Sequence, residues 1–225
     1  MKCYLSVTAI SLAALFIQLV AADESKTIIN VDLYYESLCP DSMNFVRTQL
    51  VPAYPDLKNH LSISYIPYGK ASHSKADTTG PWEFVCQHGP AECRGNRAQA
   101  CGIHEIATSV KPEEQQQRLV DLVGCVMTAN NPASAVTLCA QQIGLTEESK
   151  NRIVACERHP LGNELLASHG DKTKALEPKL SYVPTIVIDG VYSKENQSAS
   201  LTNFRKLICT LIPISERPAI CEVAY

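Results

Sequence analysis

The chain has 225 residues, 45% of them apolar, and 20 Lys and Arg against 23 Asp and Glu give a formal charge of −3. A balance so close to neutral lacks the basic stripe that nucleic acid requires, and so argues against nucleic-acid partners. Beyond residue 20 no apolar run approaches the roughly 18 residues of a membrane span, so no membrane span is expected.

In chain order, residues 1–22 read as a signal peptide. Lys2 supplies the charged start, Leu5 to Val20 the apolar stretch, and Val20-Ala21-Ala22 a small-residue cleavage site. The rest, 23–225, is expected to form one domain carrying an insertion at about 70–180. Thr27 to Tyr35 has strand composition, with Ile29, Val31 and Leu33 alternating onto one face. The chain turns at Ser37 to Pro40. Met43, Val46 and Leu50 then recur at helical spacing, and Pro52 is expected to end the helix. Leu61 to Ile66 alternates again as a second strand. Cys39 thus falls at a strand-to-helix junction, where the sulfur faces unsatisfied helix N–H groups that favour a thiolate.

From about Lys70 to Leu180 no strand pattern is evident. Leu119, Leu122, Val123, Val126 and Met127 form a helical stripe, and short helices are expected over 133–143 and 146–156. Thr146 is a plausible N-cap for the last of these. Regular structure resumes with a buried strand at Thr185 to Ile188 and a tight hairpin turn at Asp189-Gly190. Val191 to Ser193 would begin a partner strand, and Leu201 to Ile212 reads as a closing helix. Asn196-Gln197-Ser198 is the one N-x-S/T sequon and is expected to carry a surface glycan.

Of the 10 cysteines, Cys3 leaves with the signal peptide. The odd remainder leaves at least one thiol unpaired, or paired to another molecule, in an oxidising compartment. Setting Cys39 aside leaves Cys86, Cys93, Cys101, Cys125, Cys139, Cys156, Cys209 and Cys221. These are enough for four disulfides, whose pairing the spacings leave open. Ser42 stands one turn after Cys39. Its hydroxyl could donate a hydrogen bond to the sulfur, but it cannot form a disulfide.

The segment from Cys86 to Cys101 reads C-Q-H-G-x2-E-C-x2-N-x4-C. Its three cysteines and His88 could in principle hold zinc. The spacing fits no standard zinc knuckle and secretory thiols oxidise, so no metal is expected. Gln87, His88, Glu92 and Asn96 are then read as loop-fixing polar groups.

This motif resembles the signature of the gamma-interferon-inducible lysosomal thiol reductase (GILT) family. The resemblance extends through Tyr34 to Ser42 and through Ala175 to Gly190. It implies an α/β, thioredoxin-like fold split by a disulfide-stapled helical insertion. It also implies a glycosylated, secreted or lysosomal protein that reduces disulfide-containing client proteins at acid pH. No cofactor is implied; an external small thiol such as glutathione or cysteine would be the reductant.

Carried over residue by residue, Cys39 matches the attacking cysteine and Pro184 matches a cis-proline beside it. Ser42 departs from the resolving cysteine of the family's C-x-x-C. The expected function is therefore monothiol exchange by Cys39, with the dithiol cycle weak or lost. The alternative is a degenerate pseudo-enzyme that binds a protein partner or a surface.

Overall fold

The computed structural model describes residues 26–77 and 80–222; the expected signal peptide and Cys3 lie outside them. Strand β1 (Ile29–Tyr35) buries Ile29, Val31, Leu33 and Tyr35 on one face, as the alternation requires. Helix α1 (Pro40–Phe45) follows and runs through a π-helical segment, Val46–Leu50, into α2 (Val51–Leu57). Pro52 therefore does not end the helix. Proline has no N–H to donate, and the chain widens just before it. The Val51 N–H reaches back five residues to the Val46 carbonyl, and helical structure continues past Pro52 and Pro55. Strand β2 (Leu61–Pro67) then returns beside β1.

The insertion begins with a hairpin that the sequence reading missed: β3 (Ser72–Lys75) pairs antiparallel with β4 (Trp82–Val85). Ser72-His73-Ser74-Lys75 carries no apolar alternation. The hairpin is instead held by aromatic packing, with the His73 ring 5.2 Å from Trp82 and 5.5 Å from Tyr68. Five helices follow: α3 (Pro90–Ser109), α4 (Pro112–Thr128), α5 (Val136–Gln142), α6 (Glu147–Arg158) and α7 (Pro160–Ala175). Thr146 caps α6 as expected, its Oγ1 accepting the Ser149 N–H at 3.1 Å. The expected polar loop around Glu92 and Asn96 is in fact the first turns of α3.

Strand β5 (Thr185–Ile188) closes the sheet, running antiparallel to β1. Among the described residues the sheet order is β2-β1-β5, with β1 and β2 parallel. Asp189 and Gly190 both have positive φ, 49° and 74°, which a two-residue hairpin turn demands. The expected partner strand does not form. Val191 makes one bridge back to Ile188, and Ser193 then caps a helix. That helix, α8 (Lys194–Leu211), is two segments joined at Asn203, whose φ of −154° is not helical. The expected helix at Leu201–Ile212 corresponds to the second segment.

Helix α4 joins the two cores. Val120, Val123 and Met127 pack on the sheet with Phe45, Leu50 and Phe204. Leu122 and Val126 face the other way, into a core with Ile106, Val136 and Ile153. The insertion is thus welded to the sheet. Its staples are Cys86–Cys93, Cys101–Cys156 and Cys125–Cys139, while Cys209–Cys221 ties α8 to the chain beyond it. No helix of the described residues is long and apolar enough to cross a membrane. The architecture is a thioredoxin-like α/β fold split by a disulfide-stapled helical insertion.

Candidate active site

Cys39 is the N-cap of α1 and the free cysteine of the described residues. Its Sγ accepts the Ser42 backbone N–H at 3.5 Å and donates toward the Val183 carbonyl at 3.8 Å. The residue is only 6% exposed. The Val183–Pro184 peptide is cis, and the Val183 carbonyl brings the segment before β5 against the cysteine.

Gln197 on α8 holds that segment from both sides of Thr185. Its Nε2 donates to the Pro184 carbonyl at 3.0 Å and its Oε1 accepts the Ile186 N–H at 2.8 Å. Sequence reasoning missed Gln197, because it lies between the expected strand start at Val191 to Ser193 and the expected helix at Leu201 to Ile212, where it was read only as the middle residue of the sequon.

Ser42 is fully buried. Its side chain does not serve the sulfur as expected. The Oγ accepts the Glu36 N–H at 3.5 Å instead. Ser42 therefore reaches Cys39 through its backbone alone.

The turn carrying Cys39 is fastened to α3. Glu92, Asn96 and Gln99 lie at i, i+4 and i+7, one helical face, and all three are fully buried. The Ser37 N–H donates to Asn96 Oδ1 at 2.8 Å, the Ser37 Oγ to the Glu92 carbonyl at 3.2 Å, and the Tyr35 hydroxyl to Gln99 Oε1 at 2.7 Å. Close approach is needed here, and Gly95 permits it: a Cβ there would lie 2.5 Å from Ser37 Oγ.

Glu36 is a further residue that the sequence reading did not single out. It sits between the Tyr35 core position and Ser37, fully buried. An acidic residue directly after β1, at the start of the turn that carries Cys39, was the available signal. Its Oε1 accepts the Lys70 N–H at 2.6 Å, and His88 Nδ1 lies 3.4 Å from its Oε2. Burial raises the Glu36 carboxyl above the usual range. The Lys70 N–H opposes this, Glu92 adds to it, and His88 opposes it.

Cys86, Cys93 and Cys101 are all in disulfides, so the four-ligand zinc set weighed from the sequence does not exist. A cleft of about 230 Å³ is lined by Leu176, Pro178, Leu180, Tyr182, Thr185 and Tyr192. Asn196, the sequon residue, is half-buried in the first turn of α8.

Residues 30–143 match the family model described as Gamma interferon inducible lysosomal thiol reductase (GILT). A gamma-interferon-inducible lysosomal thiol reductase-like protein of Anopheles gambiae is 34% identical over 198 residues, covering 86% of this chain and 80% of that protein. A gamma-interferon-inducible lysosomal thiol reductase of Carassius auratus is 31% identical over 193 residues, covering 86% and 72%. Among solved structures, the MdbA thiol-disulfide oxidoreductase of Actinomyces oris superposes with a TM-score of 0.55 over 83% of each chain, at 12% identity. At that identity the match speaks to fold alone.

Proposed function

The chain belongs to the gamma-interferon-inducible lysosomal thiol reductase family, and from that premise we propose that it exchanges disulfides as a monothiol, through Cys39. The observation that carries this reading is the pairing of one free cysteine, set beside a cis-proline at a helix start, with a serine where a resolving thiol would stand. On this reading Cys39 is the attacking group and the Val183 carbonyl the backbone that faces it. Among the described residues no second free thiol accompanies it.

In the proposed reaction the Cys39 thiolate attacks one sulfur of a client disulfide. A bond forms from Cys39 Sγ to that sulfur, the client S–S bond breaks, and the departing client thiolate takes a proton from solvent. An external thiolate such as glutathione or cysteine then attacks the Cys39 sulfur and releases the second client thiol. A second external thiol frees Cys39. The client gains two electrons and two protons, and the external thiols leave as their disulfide.

An intramolecular thiol would make resolution fast, since oriented groups reach effective molarities of ~10⁵ M or more. Ser42 cannot contribute this. The Val183 carbonyl that now faces the sulfur would be displaced as an extended client segment enters beside Pro184. Secretion or delivery to a lysosome, with a glycan on Asn196, completes the proposal.

Trapping tests it. The mature protein is incubated with a disulfide client between pH 4.5 and 7, quenched with alkylating agent and run without reductant. A covalent client complex should appear, collapse on reduction, and vanish in Cys39→Ser. No complex, or a complex that survives Cys39→Ser, would replace exchange with a non-catalytic binding role.

A further inference from the structure

Two carboxylates and an imidazole converge beside the Cys39 turn without a reason in thiol chemistry. Glu36 and Glu92 are both fully buried, and His88 is 35% exposed between them. Each carboxylate has one oxygen fixed by a backbone N–H: Lys70 holds Glu36 Oε1 at 2.6 Å and His88 holds Glu92 Oε1 at 3.0 Å. The other oxygen of each points toward His88 Nδ1, at 3.4 Å for Glu36 and 2.6 Å for Glu92.

Glu36 Oε2 is buried and has no hydrogen-bond partner among the described residues. A carboxylate oxygen sealed from water without a donor is costly. The three donor atoms lie within 4.8 Å of one another.

We propose that Glu36, His88 and Glu92 form a binding site for a divalent first-row transition metal, with Zn²⁺ the best fit. One imidazole and two carboxylates suit zinc, and they carry two negative charges against its two positive ones. Bonds to zinc of about 2.0–2.2 Å put tetrahedral donors about 3.3 Å apart. The pair of Glu36 and His88 already has that spacing. The pair of His88 and Glu92 opens by about 0.7 Å as the metal replaces the proton between them.

The backbone N–H groups on the outer oxygens orient the carboxylates as second-shell donors orient metal ligands. The disulfide between Cys86 and Cys93 closes the loop that holds His88 and Glu92. Solvent reaches the site on the His88 side and would provide the fourth ligand. Bound metal would tie α3 to the turn before Cys39. The proposal does not depend on whether Cys39 exchanges disulfides.

The test titrates Zn²⁺ alone into the mature chain carrying Cys39→Ser, which removes the free thiol as a competing ligand. Calorimetry should give one ion per chain with Kd on the order of 1 μM or tighter. His88→Ala, at a half-exposed turn position, should weaken binding by on the order of 100-fold, and Glu92→Gln by at least about tenfold. X-ray absorption of the loaded protein should show only nitrogen and oxygen ligands, one of them imidazole.

Three results would each overturn the site: no saturable binding, unchanged affinity in His88→Ala, or sulfur in the metal shell. If Glu92→Gln fails to fold by circular dichroism, His88→Ala and the absorption spectrum still decide.

Discussion

The Ser42 N–H points at Cys39 Sγ from 3.5 Å, while the Ser42 Oγ turns away to the Glu36 N–H. The hydroxyl is therefore not a stand-in for a resolving thiol, even as a hydrogen-bond donor. Two substitutions follow from this geometry. Ser42→Cys places a thiol one helical turn from Cys39 and should raise insulin reduction at acid pH by at least about tenfold, by restoring intramolecular resolution. Ser42→Ala removes one weak hydrogen bond to a buried N–H and should leave Cys39 trapping nearly intact. A native protein that already turns over as fast as Ser42→Cys would show that resolution is not the missing step.

The sequence made the parts with apolar periodicity readable and hid those built on polar contacts. Ile29, Val31 and Leu33 announced β1, Asp189-Gly190 announced the turn, and Leu119 to Met127 announced α4. Helix α3 was hidden because its inner face is Glu92, Asn96 and Gln99, which serve hydrogen bonds to the Cys39 turn and leave little apolar stripe. Strand β3 was hidden for a related reason, since His73 packs by ring contacts. Pro52 misled because a π-helical segment accommodates it. At the site, Cys39, Ser42 and Pro184 were visible from the motif resemblance. Glu36 and Gln197 were not, because their importance lies in partners 34 and 11 residues away or more.

Gly95 should tolerate no side chain. Its Cβ would lie 2.5 Å from Ser37 Oγ and 3.0 Å from the Ala133 backbone. Neither neighbour is the far end of a flexible chain. Gly95→Ala should cost about 1–3 kcal/mol by overpacking and slow Cys39 alkylation or trapping by moving the turn. Urea unfolding measures the first effect. A variant as stable as the parent would mean that α3 sits farther from Ser37 than its hydrogen bonds imply.

The disulfides should contribute unequally. Cys101–Cys156 spans 55 residues and Cys86–Cys93 only 7. On the loop-entropy account, removing the first as a double Cys→Ala variant costs about 4 kcal/mol and removing the second about 2.5 kcal/mol. Cys101 also sits in the second core, so its loss adds a packing defect. Chemical denaturation of the two double variants gives the comparison. Equal or reversed losses would show that strain or residual unfolded structure outweighs loop length. Alkylation of the intact native monomer without reductant, followed by mass measurement, should label one thiol, Cys39.

The acid pH expected of a lysosomal destination imposes a cost on one histidine. Burial, with Lys172 nearby, pushes His169 down to about 4. Its unfolded value is near 6.5, so between these values the unfolded chain binds more protons than the folded one. The neutral imidazole therefore contributes stability that is present above pH 6.5 and lost as pH falls toward 4. Between pH 7 and pH 5 this group alone removes about 2 kcal/mol. His169→Gln keeps a polar side chain of similar size and cannot charge. Urea unfolding of parent and variant at both pH values isolates the effect, since every other titrating group is shared. The variant should lose less stability than the parent on acidification, by about 2 kcal/mol. If the two lose the same amount, His169 is protonated in the folded state at pH 5 and its burial does not hold it neutral.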